Sequence, residues 1–104
     1  MRVRITREAQ DQIAEIFEYI AHDNPSAARK VVARIEYLME LLGAFPELGH
    51  ELDDGVRMFS TRPYPYLIFY ELVLDEVVIV SVSHGARRRP AFHEPTVEFV
   101  RATF

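Results

Sequence analysis

The chain has 104 residues, 49% hydrophobic and 27% charged, with no cysteine and a formal net charge of −4. A chain of this length forms one domain that buries roughly 60 to 65% of its unfolded surface and needs no covalent staples, so the expectation is a single domain over 1–104 with 89–104 as a C-terminal tail. The missing cysteines exclude a disulfide framework and a thiolate metal site. Residues 1–21 lack the apolar run of a signal peptide, and no stretch approaches the roughly 18 apolar residues of a membrane span; the expected compartment is the cytoplasm, with no membrane partner.

The charge is informative when divided. Residues 1–54 carry six Lys or Arg against eleven Asp or Glu, while residues 55–104 carry six against five. Such a balance argues against nucleic-acid binding by the whole surface, which needs a basic face, and leaves room for a local basic site.

Residues 2–6 (RVRIT) alternate polar and apolar, which reads as a short half-buried strand. Thr6 offers a hydroxyl to cap a helix, with Glu8 in its first turn, and Ala9, Ile13, Ile16, Phe17 and Ile20 recur at helical spacing up to an end near His22 and Asp23. Asn24 and Pro25 then start a second helix, as cap and first helical residue. Its stripe is Ala28, Val32, Ile35, Met39 and Leu42, widened by Val31 and Leu38, and Gly43 reads as its stop. Two facing stripes joined by a short turn make an antiparallel helical hairpin.

Residues 44–55 read as a loop without periodicity. Residues 56–61 alternate again, with Val56 and Met58 on one face and Arg57 and Phe59 on the other. An aromatic, β-branched strand comes next over 64–71, then a hairpin turn at 73–76, then the stretch VVIVSVSHGARRRP at 77–90. Its first part is apolar on both faces, which places it centrally in a sheet, and it runs directly into His84 and three arginines. The order β-α-α-β-β-β predicts an α+β fold: an N-terminal strand and an antiparallel helical hairpin packed on a mainly antiparallel sheet. The apolar residues of the tail are expected to dock, with no place assigned by the sequence.

Arg87, Arg88 and Arg89 suit recognition of carboxylate or phosphate, since each guanidinium presents a fork of donors. Arg57 and Arg62 would extend that patch if they point the same way. His84 is placed for acid–base work at a strand end, but no carboxylate or nucleophile is fixed to it by spacing. His22, His50 and His93 match no metal-ligand spacing, and no cofactor motif is present. Tyr64, Tyr66, Phe69 and Tyr70 form a tempting base-stacking set, although aromatic residues on strands facing helices are more often core. Ser81 and Ser83 lack the turn of a nucleophile elbow.

Taken together, Phe17-Glu18-Tyr19-Ile20-Ala21, the turn Asp23-Asn24-Pro25 followed by Ala27-Ala28, the loop Phe45-Pro46-Glu47-Leu48-Gly49, Arg57 opening a strand, Tyr66-Leu67-Ile68-Phe69-Tyr70 and the VIVSVSHGAR stretch at 78–87 resemble the RelE/ParE superfamily of bacterial toxins, most nearly its ParE branch. The resemblance implies the toxin of a type II toxin–antitoxin pair, silenced by a small ParD-like or similar antitoxin whose disordered tail folds along it. An acidic amphipathic segment would suit a sheet with exposed basic and apolar residues. ParE-like members act on DNA gyrase, and RelE-like members cut mRNA at the ribosome with basic residues on the sheet and a tyrosine or histidine near the C-terminus. The lysine-rich strand region of RelE is missing, since Lys30 lies in the second helix, and Phe92 and His93 stand where a tyrosine would be wanted. The expectation is therefore gyrase inhibition by protein–protein contact through Arg57, Arg62, Arg87, Arg88 and Arg89, without catalysis and without sequence-specific nucleic-acid binding by the toxin alone. The alternatives are a ribosome-dependent endonuclease using Arg57, His84, Arg87 and His93, or a degenerate member that only binds an antitoxin.

Overall fold

The fold is seen in a computed structural model, which describes residues 1–85. The order of elements is β1 (Arg2–Ile5), α1 (Arg7–Ala21), α2 (Pro25–Ala44), β2 (His50–Glu51), a 3-10 turn (Asp53–Gly55), β3 (Val56–Ser60), β4 (Tyr66–Val73) and β5 (Glu76–His84). The strands form one five-stranded sheet in the order β1-β5-β4-β3-β2. Three of its pairings are antiparallel and one is not: β1 lies parallel to β5, with Arg2 opposite Glu76 and Ile5 opposite Ile79. The first part of the 77–90 stretch thus lies in β5, the strand between β1 and β4, as its apolarity on both faces predicts.

Both helix starts agree with the sequence. Thr6 accepts from Ala9 N at 3.2 Å and Asn24 Oδ1 accepts from Ala27 N at 3.0 Å, each pairing an N–H that the first turn leaves orphaned. Both helices cross the same face of the sheet. Ile35, Leu38, Met39 and Leu42 of α2 and Ala9 of α1 join Tyr66, Ile68, Tyr70, Val77, Ile79 and Val82 in the main core. Each fully buried aliphatic side chain there contributes about 1.5 to 3 kcal/mol against exposure.

The register of β5 against β4 slips between Phe69 and Tyr70. Phe69 faces Ser81 and Tyr70 faces Ile79, leaving Val80 with no opposite residue. Across this bulge the core-facing positions run from Ile79 to Val82, and simple alternation would have put Ser81 there instead. Past Ile79, where β1 ends, side chains of the first helical segment take over the edge of β5. The Thr6 hydroxyl donates to Val80 O at 3.2 Å, and Gln12 Oε1 accepts from Val82 N at 2.7 Å.

Three expectations need correction. Gly43 does not stop α2 but lies buried within it, and a Cβ there would stand 2.8 Å from Val3 Cγ2 and 2.9 Å from Met1 O, so the missing side chain lets β1 approach the helix. The 44–55 segment is not wholly irregular, because β2 extends the sheet beside β3. The aromatic strand starts at Tyr66 and runs to Val73, leaving Pro65 outside it and a tight turn at Leu74 (φ 55°) and Asp75. No helix among the described residues is long and apolar enough to cross a membrane.

Candidate partner-binding surface

Arg57 lies on the helix-facing side of β3, opposite Tyr70, and the loop after α2 claims its guanidinium. Nη1 donates to Gly49 O at 2.8 Å and to Glu47 O at 3.3 Å, while Nη2 stands 3.6 Å from Glu51. The Tyr70 hydroxyl completes the clasp by accepting from Gly49 N and donating to Pro46 O, both at 2.8 Å. Burial pushes the Tyr70 phenol above its ordinary value, opposed by the Gly49 N–H bond and by the nearby Arg57 charge. The Phe45-Pro46-Glu47-Leu48-Gly49 loop is therefore fixed from within the sheet. It holds Phe45 and Leu48 about half exposed, at 58% and 48%.

His84 is four residues along β4 from this clasp, opposite Tyr66, or about 13 Å along the strand at 3.3 Å per residue. Its imidazole meets the Tyr66 ring edge-on with centroids 5.5 Å apart. Burial, and then the neighbouring Tyr19, raise the Tyr66 phenol above its ordinary value. The structure thus keeps Arg57 and His84 apart.

Arg62 lies at the same end of the sheet as His84. It comes after β3 in the 61–65 turn, where the Thr61 hydroxyl donates to Tyr64 O and Tyr66 O and accepts from Tyr66 N. Gly85 N donates to Pro65 O at 2.8 Å, so this turn also holds the point where the chain leaves β5. Arg34 of α2 joins it there, donating from Nε to Arg62 O at 3.0 Å with its guanidinium 5.8 Å from the Tyr37 ring centroid. Sequence reading missed Arg34 because it occupies the polar face of a helix, and only the fold brings it to the turn. Arg87, Arg88, Arg89 and His93 lie outside the described residues.

A second feature escaped the sequence. An open groove of about 420 Å³ runs along the helical hairpin, lined by Ile5, Ile13, Phe17, Val32 and Met39 and flanked by Glu18 and Glu36. Phe17 and Val32 read as core by periodicity, yet both are only half-buried. A groove with an apolar floor and charged rims fits the apolar stripe of an amphipathic helix. No group of three or more His, Asp or Glu residues able to hold a metal occurs among the described residues.

Comparison with known proteins agrees with this geometry. The family described as the ParE toxin of the type II toxin–antitoxin system parDE matches residues 3–89. The toxin-class protein Y4kP of Sinorhizobium fredii is 36% identical over 94 residues, spanning 86% of this chain and 93% of that relative. Toxin ParE3 of Caulobacter vibrioides is 33% identical over 88 residues, or 81% of this chain and 86% of that one. Among solved structures, the chromosomal ParDE system from P. aeruginosa contains a chain that superposes with a TM-score of 0.72 at 23% identity, covering 81% of this chain and 95% of that one.

Proposed function

Since the chain belongs to the ParE toxin family of type II toxin–antitoxin systems, we propose that it is a cytoplasmic toxin that inhibits DNA gyrase by protein–protein contact and is held silent by a cognate antitoxin. The observation that carries the contact reading is the position of Arg57. Cleavage of RNA needs groups converging on one phosphate to move protons and stabilise developing charge. Arg57 is instead committed to the carbonyls of Glu47 and Gly49 and to Glu51, and it stands about 13 Å of strand from His84. The rim formed by Arg34 and Arg62 at the exit of β5, continued in sequence by Arg87, Arg88 and Arg89, offers forked donors to an acidic protein surface.

The antitoxin would seat in the groove of the helical hairpin. Its apolar floor takes the stripe of a helix that folds on binding, and Glu18 and Glu36 on the flanks favour basic residues beside that stripe. Such a helix differs from the acidic segment expected for the sheet.

Purified protein added to gyrase and supercoiled DNA is expected to abolish supercoiling or trap cleaved DNA, and Arg62→Glu combined with charge reversal at Arg87, Arg88 and Arg89 to remove the effect. No effect at excess folded protein, together with cleavage of translated mRNA in a toe-printing assay, would replace this reading with the nuclease one. Normal growth on induction of the soluble protein without antitoxin would identify a member that only binds its antitoxin. Co-purification with the product of the adjacent reading frame, lost on Phe17→Asp, tests the groove.

A further inference from the structure

The second helix has a flank that the groove does not use. At about 100° per residue, Lys30, Tyr37 and Leu41 of α2 and its cap Phe45 fall within about 60° of Arg34, whereas the groove residues Val32, Glu36 and Met39 lie roughly 140 to 160° round the helix from it. Both ends of this flank are pinned to β3. Arg34 Nε donates to Arg62 O at 3.0 Å, just past the end of that strand, and Arg57 near its start holds Glu47 O and Gly49 O of the loop after α2. The flank therefore runs alongside β3 in the opposite direction.

One half of the flank is apolar. Tyr37, Phe45 and Leu48 are 56%, 58% and 48% exposed, with half-buried Leu41 one turn from both Tyr37 and Phe45. Single exposed apolar side chains need no partner, but three of the seven large ones among the described residues stand together here. They are also held in place. The Arg34 guanidinium lies 5.8 Å from the Tyr37 ring centroid. Phe45 N donates to Leu41 O and Leu48 N to Phe45 O, while the Tyr70 hydroxyl bonds Pro46 O and Gly49 N on either side of Leu48. Anchors fixed before contact lose little freedom on binding. The other half of the flank is cationic: Lys30, Arg34 and Arg62 form no ion pair with any described residue.

We propose that this flank is the toxin's target-binding surface, with Tyr37, Phe45 and Leu48 as its apolar anchors. Its occupant is a protein surface in which an apolar depression adjoins Asp and Glu residues. The inference rests on the reading of the chain as a toxin acting by protein contact, and it names the surface that makes the contact. Charge complementarity selects the occupant. The cations of Lys30, Arg34 and Arg62 attract carboxylates, yet they fall short of the about six to ten phosphate contacts of a nucleic-acid binder, and a phosphate backbone offers Phe45 and Leu48 nothing to bury against. The groove on the opposite flank is bordered by Glu18 and Glu36 and favours a basic helix, so the two flanks of α2 ask for partners of opposite charge.

The test compares the full-length chain with Phe45→Ser combined with Leu48→Ser, both induced without antitoxin at equal soluble levels. The wild type is expected to arrest growth and the double variant to lose the arrest while still co-purifying with the antitoxin, unlike Phe17→Asp in the groove. With purified gyrase, the concentration for half-inhibition should rise about 30-fold or more, as for the loss of central interface anchors. Should the double variant fail to fold in a thermal melt, Leu48→Glu changes one exposed side chain and is read in the same way. A folded variant that arrests growth as strongly as the wild type would overturn the proposal. So would loss of antitoxin binding in that variant, since the flank would then belong to the antitoxin, or cleavage of translated mRNA that the variant abolishes, since the occupant would then be RNA. Arrest relieved by the variant while wild-type protein leaves gyrase untouched would uphold the flank and reject gyrase as the target. A wild type that arrests nothing would overturn both.

Discussion

Replacing Tyr70 by Phe tests whether the clasp at the end of α2 is held as described. The ring is fully buried and stays so in the variant, leaving the apolar contribution nearly unchanged. Two bonds of 2.8 Å disappear, one accepted from Gly49 N and one donated to Pro46 O. Gly49 is buried, so its N–H is stranded, which costs about 1 to 3 kcal/mol, while the partly buried Pro46 carbonyl recovers much of its loss from water. The net expectation is about 2 kcal/mol. With a urea slope of about 1.5 kcal/mol/M for a chain of this size, the midpoint falls by roughly 1.3 M, and Tm falls by about 8 °C. Equilibrium urea unfolding, with the slope checked for constancy, reads the global effect, and hydrogen exchange at the Gly49 amide reads the local one. A midpoint within about 0.3 M of the wild type, with Gly49 still protected, would show that the hydroxyl does not hold the loop.

Gly43→Ala sets a helix-propensity gain of about 1 kcal/mol against overpacking of about 1 to 3 kcal/mol. Because one of the two close contacts is backbone, Met1 O at 2.9 Å, the overpacking should win, and a thermal melt should show a lower Tm. Ser83→Ala removes a buried hydroxyl that has no hydrogen-bond partner among the described residues, so it should leave stability unchanged or raise it by up to about 1 kcal/mol; a loss of more than that amount in urea unfolding would mean the hydroxyl is bonded. The raised Tyr66 and Tyr70 phenols favour the protonated, folded form. Their contribution is fully present below the unfolded value near 10 and is lost as pH rises through the folded values, because the unfolded chain then holds fewer protons than the native one. The urea midpoint should thus decline only above about pH 10, less steeply in Tyr70→Phe, and a decline attributable to these rings at lower pH would contradict the assignment.

The hydrophobic periods, the caps at Thr6 and Asn24 and the two-sided apolarity of the 77–90 stretch made the helical hairpin and the central strand legible, because those signals are local. What the sequence hid depends on distant partners. Gly43 looked like a helix stop because the approach of β1 is invisible forty residues away, and the slip at Val80 results from pairing with β4, which no pattern within β5 reveals. At the candidate site the same division holds. Arg57 was visible as a cation, but its commitment to the 47–51 loop required the clasp with Tyr70. Arg34 and the groove at Phe17 and Val32 became apparent only once the helices were laid on the sheet.

The most direct test of the functional account is DNA supercoiling by purified gyrase in the presence of the folded, antitoxin-free protein. The account predicts loss of supercoiling or accumulation of cleaved DNA, restored by the cognate antitoxin and abolished by charge reversal at Arg62, Arg87, Arg88 and Arg89. Undiminished supercoiling at molar excess of the folded toxin would contradict it.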